Sequence, residues 1–204
     1  RVDAYDRELG VVRELSPAEC RFGYRDSLFK HTDRYVVTRV VFALVASDKS
    51  GPLRYAELVG TVGEVALLTD VREAVLDLRR AKGMVVDAAD PDTWSAGSFF
   101  TNPVLDPAAL AAFEARLAPG TPYPSWPAAG GRKLSAAWLI DRAGFGKGYG
   151  VGAVRISTKH TLALTNRDAG TTGELDALAR EIADGVQAAF GIALVPEPVL
   201  VEQR

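Results

Sequence analysis

The stretch at residues 171–191 constrains the fold more than any other. Thr171-Thr172-Gly173-Glu174 offers a capping box, in which a hydroxyl and a carboxylate three residues apart satisfy each other's backbone donors. Leu175, Leu178, Ile182 and Val186 then recur at helical spacing as one apolar stripe, and Gly191 supplies a stop. A helix with a single apolar face needs a second layer to cover it. The neighbouring sequence offers strands for that purpose. Residues 151–157 and 161–166 read as a pair around a tight connection, and residues 192–195 read as a returning strand. The expected fold class is α+β.

The same punctuation runs through the rest of the chain. Residues 1–10 read as an apolar–polar strand followed by a turn, and residues 11–15 as a second strand. The β-branched run at 34–47 reads as a long buried strand. Ser16-Pro17-Ala18-Glu19 places serine, proline and glutamate where a helix start favours them. Asp70-Val71-Arg72-Glu73 is a second box of this kind. Val71, Ala74, Val75 and Leu78 follow at helical spacing, and Lys82-Gly83 marks the end. Residues 83–103, rich in Gly, Asp, Pro and Ser, read as a loop and a subdomain boundary. Asp106-Pro107 then caps a helix with Leu110, Phe113 and Leu117 on one face. A proline-rich loop at 119–131 and a short apolar helix at 134–142, stopped by Gly144, complete the pattern.

Composition narrows the function. The chain has 204 residues with a formal net charge of −2, so no basic field attracts nucleic acid or an anionic membrane. Its apolar runs are too short to span a bilayer. No signal-like stretch precedes the first charged residues, and the one cysteine, Cys20, cannot form an internal disulfide. Two histidines and one cysteine leave no zinc constellation. These features lead us to expect a soluble cytoplasmic protein, monomeric by default, with no metal. The chain starts at Arg1, in what reads as the middle of a hairpin, so we also expect a piece of something longer.

Four places could carry chemistry. Phe22-Gly23-Tyr24-Arg25-Asp26-Ser27 sets an arginine among glycine, aromatic and acid, which equally describes a surface ion pair. Ala96-Gly97-Ser98-Phe99-Phe100 puts a hydroxyl on a tight turn against an apolar wall, or simply caps a turn. Gly144-Phe145-Gly146-Lys147-Gly148-Tyr149-Gly150 could let backbone approach a phosphate with Lys147 as counter-charge. It has the spacing of neither a P-loop nor a dinucleotide fingerprint, and a flexible αβ loop is the plainer reading. Pro196-Glu197-Pro198 pins the backbone around a carboxylate, which a rim glutamate on an edge strand explains equally well. Pattern alone reaches an α+β protein with a candidate anion-binding pocket and stops short of a reaction.

Together these segments resemble the bacterial UDP-N-acetylenolpyruvoylglucosamine reductase family. The matching stretches are FGYRDSLFKH at 22–31, LRRAK at 78–82, AGSFFTNPV at 96–104 and PYP at 122–124. KLSAAWLIDRAGFGKG at 133–148, STKHTLALTN at 157–166 and PEP at 196–198 complete the set, in the family's order. The resemblance implies a flavoenzyme of cell-wall synthesis, in which NADPH reduces bound FAD. Hydride then passes to the enolpyruvyl group of UDP-N-acetylglucosamine enolpyruvate to give UDP-N-acetylmuramate.

The resemblance also implies residue roles. Ser98 matches the proton donor, and Arg25 and Glu197 match the residues that stabilise the enolate. Tyr55, Lys82, Asn102, Tyr123, Lys147 and His160 match positions lining the nucleotide-sugar pocket, with Lys147 and Tyr123 suited to the diphosphate. Arg25 and Arg79 match cofactor-binding positions. His160 stands where some members carry glutamine.

On the family's plan, residues 1–92 are the later part of the flavin domain and 93–190 the substrate domain, while 191–204 is a returning tail carrying Glu197. The family's glycine-rich pyrophosphate loops do not occur in these 204 residues, so FAD binding by this chain alone is expected to be weak or nil. The alternative is a non-catalytic nucleotide-sugar-binding module.

Overall fold

The computed structural model describes residues 1–199, and the last part of the expected tail lies outside the described residues. Backbone contacts divide the chain into two compact units, Arg1–Lys49 and Ser50–Arg204. The loop at 83–103, where the sequence suggests a boundary, lies within the second unit. Helices and antiparallel sheets mix throughout, so the fold is α+β.

In the first unit, β1 (Val2–Asp6) pairs antiparallel with both β2 (Val11–Leu15) and β3 (Tyr35–Val40), giving the sheet order β2-β1-β3. Val2, Ala4, Leu15 and Cys20 form a small core under Leu28, Phe29 and Tyr35. Asp6 is fully buried and is tied to the Arg34 guanidinium by bonds of 2.7–3.1 Å. That guanidinium holds the Asp6 pKa down to about 2.

Two expectations fail in this unit. The strand expected over 34–47 stops at Val40 and is mostly exposed, with Phe42, Leu44 and Val45 still more so. An apolar run of that length suits a strand covered on both faces, and a four-residue core covers only one. Ser16 and Glu19 do make their reciprocal bonds, at 2.7–3.3 Å. No helix follows, because Arg21 at φ 49° turns the chain out after one turn.

The second unit opens with α1 (Ala56–Val62), which the sequence reading missed, packed against α2 (Leu68–Ala81). The α2 helix starts two residues before the expected Asp70 and ends as expected, with Lys82 as cap and Gly83 at φ 68°. The supposed loop that follows contains a 3-10 turn at Pro91–Thr93 and the strand β4 (Ser95–Ser98). After β5 (Val104–Leu105) comes α3 (Pro107–Glu114), where Asp106 accepts from the Ala109 amide at 2.8 Å.

The proline-rich stretch also hides a hairpin, β6 (Ser125–Ala128) and β7 (Gly131–Leu134). Pro127 is tolerated because β6 is the edge of the sheet β5-β7-β6. The short helix α4 (Ala136–Arg142) is capped by Ser135. Then β8 (Val154–Ile156) and β9 (Ala163–Asn166) join β4 in the order β4-β9-β8. The last helix, α5 (Thr172–Phe190), has the full capping box and ends at Gly191 in the left-handed region. The returning strand expected at 192–195 is reduced to an isolated bridge of Pro196 with Phe100.

The α5 stripe meets β8, β9 and α4 in one core that includes Leu139, Ile140, Ile156, Leu164, Ile182 and Val186. Gly185 lies in mid-helix, where glycine is normally unfavourable. Here a Cβ would overlap the Phe145 ring, so the missing side chain makes room for the loop that carries Lys147. Gly185→Ala is therefore expected to destabilise the fold by about 1–3 kcal/mol, despite alanine's better helix propensity. Thermal melting measures this, and an unchanged or raised Tm would contradict the packing.

Candidate active site

Ser98 ends β4, paired with Ala163 across a register shift between Ser95 and Ser98. Gly97 at φ 85° makes that irregularity, so the expected tight turn is a kink in a strand. Phe99 and Phe100 drop into the core immediately afterwards, while Ser98 itself is half-buried. The chain from 195 to 197 runs back along this segment. The Glu197 amide donates to the Phe99 carbonyl at 2.8 Å, and the Thr101 amide to the Val195 carbonyl at 3.0 Å. Prolines on both sides fix the backbone that presents Glu197.

A second cluster forms around Lys82. Its ammonium donates to the Tyr55 hydroxyl at 2.9 Å and to the Glu57 carboxylate, and lies 5.4 Å from the Tyr55 ring centroid. Tyr55 donates in turn to Glu57 at 2.9 Å. The Glu57 carboxylate and the Tyr55 hydroxyl raise the Lys82 pKa, and Lys82 lowers that of Glu57.

His160 lies within the field of both Lys82 and Lys147. Burial first, and then those two cations, push its pKa below 6.5. Its Nδ1 accepts from the Leu162 amide at 3.2 Å, leaving Nε2–H as the ring's donor. Tyr55 and Lys82 are thus in direct contact, and Lys82 and Lys147 both act on His160 through their charge.

Asp92 holds this neighbourhood in place. It is 6% exposed, accepts from the Thr158 amide at 2.8 Å, and also bonds the Thr158 hydroxyl and the Arg167 guanidinium. Burial raises its pKa, but the hydrogen bonds of Thr158 and Ser157 and the charge of Arg167 outweigh it, so the net shift is downward. Alongside, Lys159 pairs with Asp90. Gly83, at the end of α2, is buried against the Asp92 carbonyl, where a Cβ would come within 2.9 Å. Lys82 and His160 therefore hang from two segments bolted together at Asp92.

The remaining expected residues are placed as follows. The Asn102 Oδ1 accepts from the Ala136 amide at 2.9 Å, a contact at the first turn of α4. Tyr123 donates to Glu114, which raises its pKa, and packs edge-on against Phe113 with centroids 5.1 Å apart. Arg79 shares with Tyr55 and Lys82 an apolar cavity of about 370 Å³ whose walls include Leu58, Leu78 and Met84. Arg25 belongs to the first unit and tips a turn closed by the Gly23–Asp26 bridge, in the left-handed region at φ 55°.

The sequence reading missed Glu57, Asp92, Thr158 and Arg167. No periodicity marks these residues. The one available signal for Asp92 was the Asp90-Pro91-Asp92 turn.

The cations around His160 make a direct prediction. Its NMR titration is expected below 6.5, so the ring is neutral at pH 7, and Lys82→Gln should shift it back upward. Between the folded and unfolded pKa values the unfolded chain binds the proton better, so stability falls as pH drops through that window. A pKa at or above 6.5 would contradict the arrangement.

Comparison with known proteins agrees with this fold. The family model for the UDP-N-acetylenolpyruvoylglucosamine reductase C-terminal domain matches residues 90–201. The protein of that name from Thermobifida fusca is 57% identical, over 98% of this chain and 59% of its own length. Its counterpart from Streptomyces coelicolor is 56% identical, over 98% of this chain and 55% of its own length. The chain thus spans little more than half the length of these relatives. The crystal structure of the UDP-N-acetylenolpyruvylglucosamine reductase from Thermus caldophilus is 22% identical, with a TM-score of 0.50, covering 96% of this chain and 50% of that one. This chain belongs to the UDP-N-acetylenolpyruvoylglucosamine reductase family.

Proposed function

We propose that this chain is the substrate-binding and proton-donating part of a reductase that converts UDP-N-acetylglucosamine enolpyruvate to UDP-N-acetylmuramate for peptidoglycan synthesis. FAD, reduced by NADPH, supplies the hydride when bound. Arg25 and Arg79 are the residues of this chain that would hold it. The apolar walls beside Arg79 suit a ring, and a guanidinium suits phosphate or a polar ring edge.

Addition of hydride to the terminal vinyl carbon drives the π pair toward the carboxylate and creates an enolate. Ser98 Oγ–H then gives its proton to the adjacent carbon and is reprotonated from solvent. A hydroxyl is a weak acid, so it must be held against a base as strong as an enolate. Arg25 would counter the developing charge. Glu197 assists only when it carries or shares a proton, because a bare carboxylate would oppose that charge. On the binding side, Lys82, Lys147 and neutral His160 would meet the diphosphate, with Tyr55 over the sugar nucleotide.

The observation that carries this reading is the pairing of residues 195–197 with 99–101, which places the Glu197 backbone beside the residue after Ser98. In the complete enzyme, Ser98→Ala is expected to lower kcat by about 10²–10⁴. The Kd for substrate and the rate of flavin reduction by NADPH should stay unchanged. Turnover within a few-fold of wild type would remove Ser98 from the proton-donor role. A wild-type enzyme that binds the nucleotide sugar without turnover would favour a binding module.

A further inference from the structure

We infer that Glu57 is a built-in competitor for the diphosphate, clasping Lys82 and Tyr55 until an anionic ligand displaces it. The inference rests on the reading above that Lys82 contacts the ligand's phosphates. Among the cations gathered around His160, Lys82 is the one that meets the carboxylate of Glu57. Glu57 occupies both polar partners that the ligand would use, taking the Lys82 ammonium and the Tyr55 O–H together. The Tyr55 hydroxyl also accepts from Lys82, which closes a three-membered ring of bonds.

Position makes the clasp releasable. Glu57 lies in the first turn of α1 and Tyr55 at the residue that precedes it, so both belong to one short, exposed element. The Glu57 and Lys82 side chains retain 50% and 31% of their exposure, and a pair so wetted binds weakly. A diphosphate carries more charge than one carboxylate and would also draw on Lys147 and His160, which Glu57 does not engage. Its arrival would free the Tyr55 hydroxyl to turn from Glu57 to the ligand. Glu57 therefore sets an affinity threshold, and monoanionic sugars should fail to open the clasp.

The test is calorimetric titration of UDP-N-acetylglucosamine into the wild-type chain and into the Glu57→Gln, Lys82→Gln and doubly substituted chains. Glu57→Gln should tighten binding about three- to tenfold, Lys82→Gln should weaken it, and the double variant should show no gain over Lys82→Gln alone. That non-additivity separates competition from a merely structural role. If Lys82→Gln weakens binding but Glu57→Gln leaves it unchanged or weaker, the clasp is wrong while the Lys82 reading stands. If Lys82→Gln has no effect, or neither wild type nor Glu57→Gln binds, the reading of Lys82 fails and the clasp fails with it.

Discussion

The candidate site depends on one buried carboxylate. Asp92 is taken out of water and satisfied by Thr158 and Arg167, groups far away in sequence. Removing one partner from such a network leaves an uncompensated buried charge, which costs far more than losing a surface pair. These bonds fix the Pro91–Thr93 turn to the segment that links β8 to β9, and the end of α2 packs on the same turn at Gly83. Lys82 sits at that helix end and His160 on that segment, so their approach follows from the Asp92 bonds rather than from any attraction between them.

The core serves the same end from the other side. The α5 stripe is a packing surface, and the glycine at 185 lets Phe145 seat on it. Phe145 and Tyr149 stack edge-on at 4.9 Å, and the Tyr149 hydroxyl donates to Glu181 at 2.6 Å. The loop carrying Lys147 is thereby tied to a helix at two aromatic points. Its glycines give the loop its turns, but its position comes from the aromatics. The backbone that carries Lys147 is thus anchored to α5 through its aromatic neighbours.

Much of the fold was legible in the sequence wherever a local rule decides the structure. The caps of α3 and α5, the stop at Gly83 and the β8–β9 pair all follow from hydrogen-bond chemistry within a few residues. What escaped was decided at long range. Pro127 argues against a strand until the edge position of β6 is known, and the β4 segment looks like loop until β9 pairs with it. The 34–47 run shows the opposite failure. Its composition asks for burial on both faces, and the first unit has no second layer to provide it. For the site, motif resemblance nominated Ser98, Lys82 and His160, whereas Asp92 and Glu57 carry no motif and emerge only from contacts.

The central claim is that the second unit holds a substrate pocket formed by its own residues. Calorimetric titration of this chain with UDP-N-acetylglucosamine enolpyruvate, with and without added FAD, tests it most directly. The account predicts saturable binding without the flavin. Binding only when FAD is present, or none in either case, would contradict it.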